Sequence, residues 1–209
     1  MKKILFIANG QVCQFEKNFF DNFDEIVCVD GGYNSAKLYG ISPTFLMGDL
    51  DSIKIKKTEL DKICKVVFKD NQDESDLEFA IKYIIKNIEN IGEITIINAI
   101  GLRLDHTINN IILLKSIDKQ IITKIVSENE ELYLVRDTLI LDNVFGKTLS
   151  ILPITNIKNI RTHGLKWELE GVDINFGFVG GISNVCLEDK IRISLKSGEI
   201  LVVLNRNII

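Results

Sequence analysis

The sequence predicts an α/β domain with a mostly parallel sheet, followed by an all-β sandwich. Three observations predict it. In the first half, short apolar runs alternate with segments of helical period. Those runs are continuous rather than alternating, the pattern of strands buried on both faces. In the second half, strand-like stretches follow one another with only turns between them. The expected boundary divides residues 1–120 from 121–209.

Each element has a reason. "ILFIA" (4–8) is an apolar run closed by Asn9-Gly10, and reads as a first strand. Residues 15–23 space their apolar side chains as a helix does. "EIVCVD" (25–30) is rich in β-branched residues and ends in Gly31-Gly32. "YNSAKLYG" (33–40) reads as a helix stopped by Gly40. "FLM" (45–47) is a strand turning at Gly48, and "CKVVFK" (64–69) is another. Residues 75–90 carry Leu77, Ala80, Ile81, Ile84, Ile85 and Ile88 on one helical face, with Asp73 or Ser75 available to cap it. "EITIINAI" (93–100) is a strand closed by Gly101, and 106–117 again show helical spacing. The later strands are "QIITKIVS", "ELYLVRDTLIL", "KTLSILPI", "IKNIRTHG", "GVDINFG" and "KIRISLKSGEILVVLN". Within the last, "KSGE" (196–199) reads as a hairpin turn.

Composition narrows the class. The chain has 209 residues, 46% of them hydrophobic, enough for a sizeable core, and a formal net charge of -4. An acidic chain with no dense Lys/Arg stripe disfavours nucleic acid. Lys54, Lys56 and Lys57 are read as solvated loop lysines. The four cysteines have neither CxxC nor zinc spacing. The first apolar run is too short for a signal peptide, and no segment approaches the ~20 apolar residues of a membrane helix. The expected location is the cytoplasm, with no membrane partner.

The unusual residues gather at predicted strand ends. Asp30 follows the second strand, Asp49 and Asp51 the third, Gln72, Asp73 and Asp76 the fourth, and Arg103, Asp105 and His106 the fifth. Ligands of open α/β sheets bind beyond those carboxyl ends. Clustered carboxylates oppose folding unless a cation joins them, and oxygen donors without cysteine suit Mg²⁺ with phosphate oxygens. Taken singly, each acid also reads as a turn, cap or helix-start residue, and His106 as a residue that caps or packs. Together they support a metal-assisted phosphate site.

Four stretches, "DGGYN" (30–34), "MGDLDSI" (47–53), "NQDESDLEFAI" (71–81) and "GLRLDHTINNI" (101–111), resemble the thiamine pyrophosphokinase family. "GLKWELEG" (164–171) and "GGISNV" (180–185) resemble its C-terminal signature. The resemblance covers most of the chain. It implies transfer of the pyrophosphoryl group of ATP to the hydroxyl of thiamine, giving AMP and thiamine diphosphate with Mg²⁺. It also implies a homodimer with a shared active cleft, a catalytic domain that binds nucleotide and metal, and a thiamine-binding sandwich. By the same resemblance Asp49, Asp51, Asp76 and Asp105 hold metal, and with Arg103 carry the catalysis. Gln72, Ser75, Arg103, Asp30 and Asn34 face ATP, and Asp30, Ser183 and Asn184 face thiamine.

Three departures stand out. Leu102 replaces the usual Gly of "GGRLDH" and is expected to alter packing at that turn without loss of activity, Tyr33 replaces a small residue and is expected to narrow the cleft, and Ser75 replaces a threonine. Trp167 suits stacking on thiamine no better than a core or interface role, and is left outside the site. Two rivals remain. One is another Mg²⁺-dependent phosphate-transfer enzyme, which the absence of a "GxxxxGK[ST]" loop and the position of "DLD" disfavour. The other is a non-catalytic thiamine- or nucleotide-binding protein, which intact acids and Arg103 disfavour.

Overall fold

The structure, a computed structural model, describes residues 1–53, 62, 64–70, 73–178 and 180–208. Lys54, Lys56, Lys57 and Gln72 lie outside the described residues. The chain divides into two compact units, Met1–Glu128 and Asn129–Ile209.

In the first unit, six strands form a parallel sheet: β1 (Lys2–Ile7), β2 (Glu25–Val29), β3 (Phe45–Gly48), β4 (Lys65–Phe68), β5 (Ile91–Ile97) and β6 (Ile122–Val126). Their spatial order is β6-β5-β1-β2-β3-β4. Ile4, Leu5, Phe6 and Ile7 are all fully buried, so β1 is covered on both faces. Three helices are described: α1 (Gly32–Tyr39), α2 (Asp76–Asn87) and α3 (Leu104–Leu113). Gly40, in the left-handed region at φ 69°, stops α1 as expected. Ser75 caps α2, its Oγ accepting the Glu78 N–H at 3.2 Å.

The expected helix over 15–23 is a 3-10 turn at Lys17–Asn22. Its aromatic rings pack tightly. Phe15 stacks on Phe19 at 4.5 Å, and Phe20 meets Tyr39 at 4.9 Å. Eclipsed 3-10 geometry serves this short aromatic cluster.

The division between units falls beyond the boundary expected at 120. The sequence pattern places "QIITKIVS" in the β-rich half, but Ile122–Val126 pairs in parallel with β5. A strand cannot be assigned to a sheet from its own period. Its partner decides.

The second unit contains two antiparallel sheets around one core. β7 (Glu130–Val135), β9 (Lys147–Pro153), β12 (Asn184–Val185) and β14 (Ile200–Ile208) pair in the order β12-β9-β14-β7. β8 (Thr138–Asp142), β10 (Ile157–His163), β11 (Glu170–Ile174) and β13 (Lys190–Ser194) pair in the order β11-β10-β13-β8. Leu149 and Val202 from one sheet and Ile160 and Ile193 from the other share one fully buried cluster, the signature of a sandwich.

The hairpin expected at "KSGE" is not there. β13 pairs with β8 and β10, whereas β14 pairs with β7 and β9, so residues 195–199 cross between the sheets. Gly198, at φ 108°, makes the turn, and an added Cβ would meet the Asn156 carbonyl oxygen at 2.5 Å. Alternating strands around a turn signal look alike whether they pair with each other or not.

Candidate active site

In the first unit the chain runs outward from β1 through β2 and β3 to β4, then returns to place β5 on the other side of β1. That reversal parts the loops after β1 and β5 and opens a crevice at the carboxyl ends. A cavity of about 660 Å³ lies there. Its walls include Asn9 and Gly10 after β1, Asp30 after β2, Lys69 after β4, Asn98 after β5, and the starts of α2 and α3.

Glycines set the floor. A Cβ on Gly32 would come within 2.0 Å of the Ile7 carbonyl oxygen, and one on Gly31 within 2.3 Å of the Asn9 side chain. The pair therefore lets α1 start hard against β1, which a side chain would prevent. Asp30 just before it has φ 45°, and its N–H donates to the Met47 carbonyl at 2.8 Å. That bond ties the end of β2 to the end of β3.

At β3 the chain turns through Gly48 (φ 132°) and Leu50 (φ 61°). In an extended strand Asp49 and Asp51 would lie on the same face, but the left-handed Leu50 breaks that regularity and folds the loop back. The Asp51 N–H donates to Asp49 Oδ1 at 3.4 Å. Carboxylate oxygens of Asp30, Asp49 and Asp51 all lie within 4.8 Å of one another.

That arrangement fits a divalent cation. Asp49 and Asp51 are exposed, but Asp30 is buried. Its Oδ2 accepts from Asn9 Nδ2 at 3.2 Å, while its Oδ1 is buried without a hydrogen-bond partner. A buried carboxylate oxygen left unpaired beside two other acids is costly, and a hard cation removes both the repulsion and the desolvation cost. Three oxygen donors with no sulfur or nitrogen match magnesium-like ions.

The expected metal set was Asp49, Asp51, Asp76 and Asp105. Among the described residues, the structure brings Asp30 to the first two and leaves the others apart. Asp76, at the first turn of α2, has Lys69 Nζ 2.9 Å from its Oδ1. Asp105 receives a two-pronged contact from Arg103, with Nε at 3.1 Å from Oδ1. This arginine holds the Asp105 carboxyl down to about 2. Both side chains are exposed at the cavity wall. Asp76 and Asp105 therefore line the same cavity as Asp30, each held by a cation of its own.

Ser75 lines the cavity and caps α2. Asn34 is exposed on α1, with Nδ2 directed at the Ser52 carbonyl at 3.5 Å, beside the acidic loop. Gln72 lies outside the described residues. His106 is exposed at the cavity wall rather than packed. Tyr33 does not narrow the cleft, because its ring is buried in the core with Leu5, Cys28 and Leu46. Burial pushes its hydroxyl pKa up. Leu102 stands at φ 58° with its side chain exposed, so the change from glycine falls on the backbone rather than on packing.

Ser183 and Asn184 belong to the second unit. Asn184 Oδ1 accepts the Trp167 N–H at 3.1 Å, and its Nδ2 donates to the Trp167 carbonyl at 2.7 Å. The asparagine thus splints the backbone under the tryptophan. Trp167 itself is 56% exposed, so it is no core residue, and Lys166 Nζ lies 4.7 Å from its ring centre. Ser183, at φ 60°, donates its N–H to Ser150 Oγ at 3.1 Å.

Sequence reasoning missed Lys69, Asn9 and Asn98 as cavity residues. Each directly or closely follows an apolar strand, and that position was the available signal.

Comparison with known proteins gives a consistent result. Residues 17–126 match the family model described as "Thiamin pyrophosphokinase, catalytic domain", and residues 136–200 match "Thiamin pyrophosphokinase, vitamin B1 binding domain". The chain is 24% identical to "Thiamine pyrophosphokinase 1" of Oryza sativa subsp. japonica, covering 96% of this chain and 86% of that one. It is 26% identical to "Thiamine pyrophosphokinase 1" of Arabidopsis thaliana, over 92% and 82%. Among solved structures, the thiamine pyrophosphokinase of Bacillus subtilis superposes with a TM-score of 0.81 at 21% identity, over 99% of this chain and 100% of that one. That of Candida albicans superposes at 0.83 and 20%, over 99% and 89%. At such identities the structural likeness speaks for the fold.

Proposed function

The chain belongs to the thiamin pyrophosphokinase family, and from that premise we infer that it moves the pyrophosphoryl group of ATP onto the hydroxyl of thiamine, leaving AMP. The observation that carries this reading at the level of chemistry is the acid cluster of Asp30, Asp49 and Asp51 beside a cavity that also presents Arg103 and Lys69. Cations lining the cavity and a cation-seeking acid cluster beside it suit a polyphosphate chain.

In this reading Asp30, Asp49 and Asp51 hold Mg²⁺. Bound there, the ion neutralises phosphate charge during transfer. Asp105 holds the Arg103 guanidinium as an oriented fork at the cavity wall, ready for a phosphate oxygen. Ser75 fixes the start of α2, and with it the position of Asp76. Asn34 steadies the acidic loop. In the second unit the hydroxyl of Ser183 has no partner among the described residues and is free for thiamine. Asn184 shapes that wall by holding Trp167 in place.

We also read the enzyme as a cytoplasmic homodimer. The buried thiols of Cys28 and Cys186 support a reducing compartment. No helix among the described residues is long and apolar enough to cross a membrane. Exposed apolar side chains on both units, among them Ile108, Ile112, Trp167 and Phe176, support burial against a second copy.

Product analysis tests the reaction. Purified protein is incubated with ATP, thiamine and Mg²⁺, with an EDTA control. AMP and thiamine diphosphate are expected in equal amounts and only without EDTA. ADP with thiamine monophosphate would replace pyrophosphoryl transfer by simple phosphorylation. Saturable thiamine binding without product would make the chain a binder.

A further inference from the structure

We propose that Lys69 is a phosphate-binding residue, its buried ammonium serving as a fixed cation for the β,γ end of the nucleotide's phosphate chain. The proposal rests on the ATP-dependent reading above and deepens it.

Lys69 follows β4 directly, and its N–H donates to the Gly48 carbonyl at 3.0 Å. Its backbone is therefore tied to the residue that precedes Asp49. The side chain is only 4% exposed, yet it lines the cavity. Nζ donates to the Glu74 carbonyl at 2.8 Å and lies 2.9 Å from Asp76 Oδ1. These contacts hold the ammonium between the acidic loop after β3 and the start of α2.

An ammonium carries three donors, and these two partners occupy at most two of them. No other partner occurs among the described residues. A buried charge with an idle donor is expensive, and a fold keeps one where a ligand completes the set. The ligand must be an anion that enters a cavity whose other cation is Arg103, and phosphate oxygens meet that description. Lysine suits the task as a compact point charge that accepts many phosphate orientations, whereas Arg103 supplies the planar fork. Asp76 then acts as the anchor that keeps the ammonium in place.

The test is calorimetric binding of ATP and of AMP to the full chain with Mg²⁺ and without thiamine. AMP lacks the β- and γ-phosphates. Lys69→Met should weaken ATP by ~10- to 100-fold, the range for a charged hydrogen bond, and leave AMP within about 2-fold. Lys82→Met removes an exposed cation of α2 and should leave both affinities unchanged. If Lys69→Met does not fold, Lys69→Gln, which keeps a donor but no charge, is read by the same ATP-against-AMP difference. ATP affinity within about 3-fold of the wild type, or equal loss of ATP and AMP, would overturn the proposal. Wild-type product analysis runs in parallel. Lys69-dependent ATP binding without thiamine diphosphate would sink the transfer reaction and leave this contact standing. Normal turnover with unaltered ATP binding in Lys69→Met would do the reverse.

Discussion

Asp30 is 8% exposed, with one oxygen unpaired and two further carboxylates within 4.8 Å. Such a group opposes folding until a cation arrives, so binding and stability should trade against each other at this residue. In EDTA, Asp30→Asn is expected to unfold at a higher temperature than the wild type. On adding Mg²⁺ the wild type should gain stability, while the variant gains little. A wild type indifferent to Mg²⁺ would remove this cluster from metal binding. Activity gives a second reading. Asp51→Asn should lower turnover by at least ~100-fold, since even groups behind metal ligands cost 10- to 100-fold. Unchanged turnover would take Asp51 out of the site. The same scale explains why the acids that gather here differ from the set the resemblance implied. The resemblance supplied four acids, but Lys69 and Arg103 already neutralise two of them.

At the scale of elements, the site depends on how closely α1 meets β1. The Gly31-Gly32 pair looked like a turn signal in the sequence, and its weight comes from contact. Gly32→Ala would push a methyl against a backbone carbonyl oxygen at 2.0 Å, which cannot rotate away. We expect a loss of about 2–3 kcal/mol, the cost of overpacking a rigid spot. Gly40→Ala makes a useful contrast. That residue has open space around it but a φ of 69°, so only the left-handed backbone is penalised, by about 1 kcal/mol. Urea denaturation of both variants checks this order, and a Gly32→Ala cost at or below that of Gly40→Ala would refute the close-approach argument. The strands around this helix were legible as continuous apolar runs. The 3-10 turn at 17–22 was not, because five aromatic rings packing together outweigh the local period.

For the whole molecule, the exposed apolar residues call for a partner. Leu104, Ile108 and Ile112 recur at every fourth position of α3, so they form one unpartnered stripe. A monomer would leave that stripe in water. Sedimentation of the purified protein should therefore give twice the 23.7 kDa chain mass. The double variant Ile108→Glu, Ile112→Glu should sediment as the single chain. A monomeric wild type would reject the homodimer.

The sequence by itself determined the class of each half, because burial on two faces or one is written into local periodicity. It also determined that acids crowd the ends of the parallel strands, since strand ends are local features. Which strands pair was decided only in three dimensions. β6 joined the parallel sheet, and residues 195–199 bridged two sheets instead of closing a hairpin. Which acids meet was decided there as well. Asp30 reached Asp49 and Asp51 because β2 lies beside β3. Strand pairing and this meeting of acids are contacts between residues distant in the chain, and a local pattern carries no record of its distant partner.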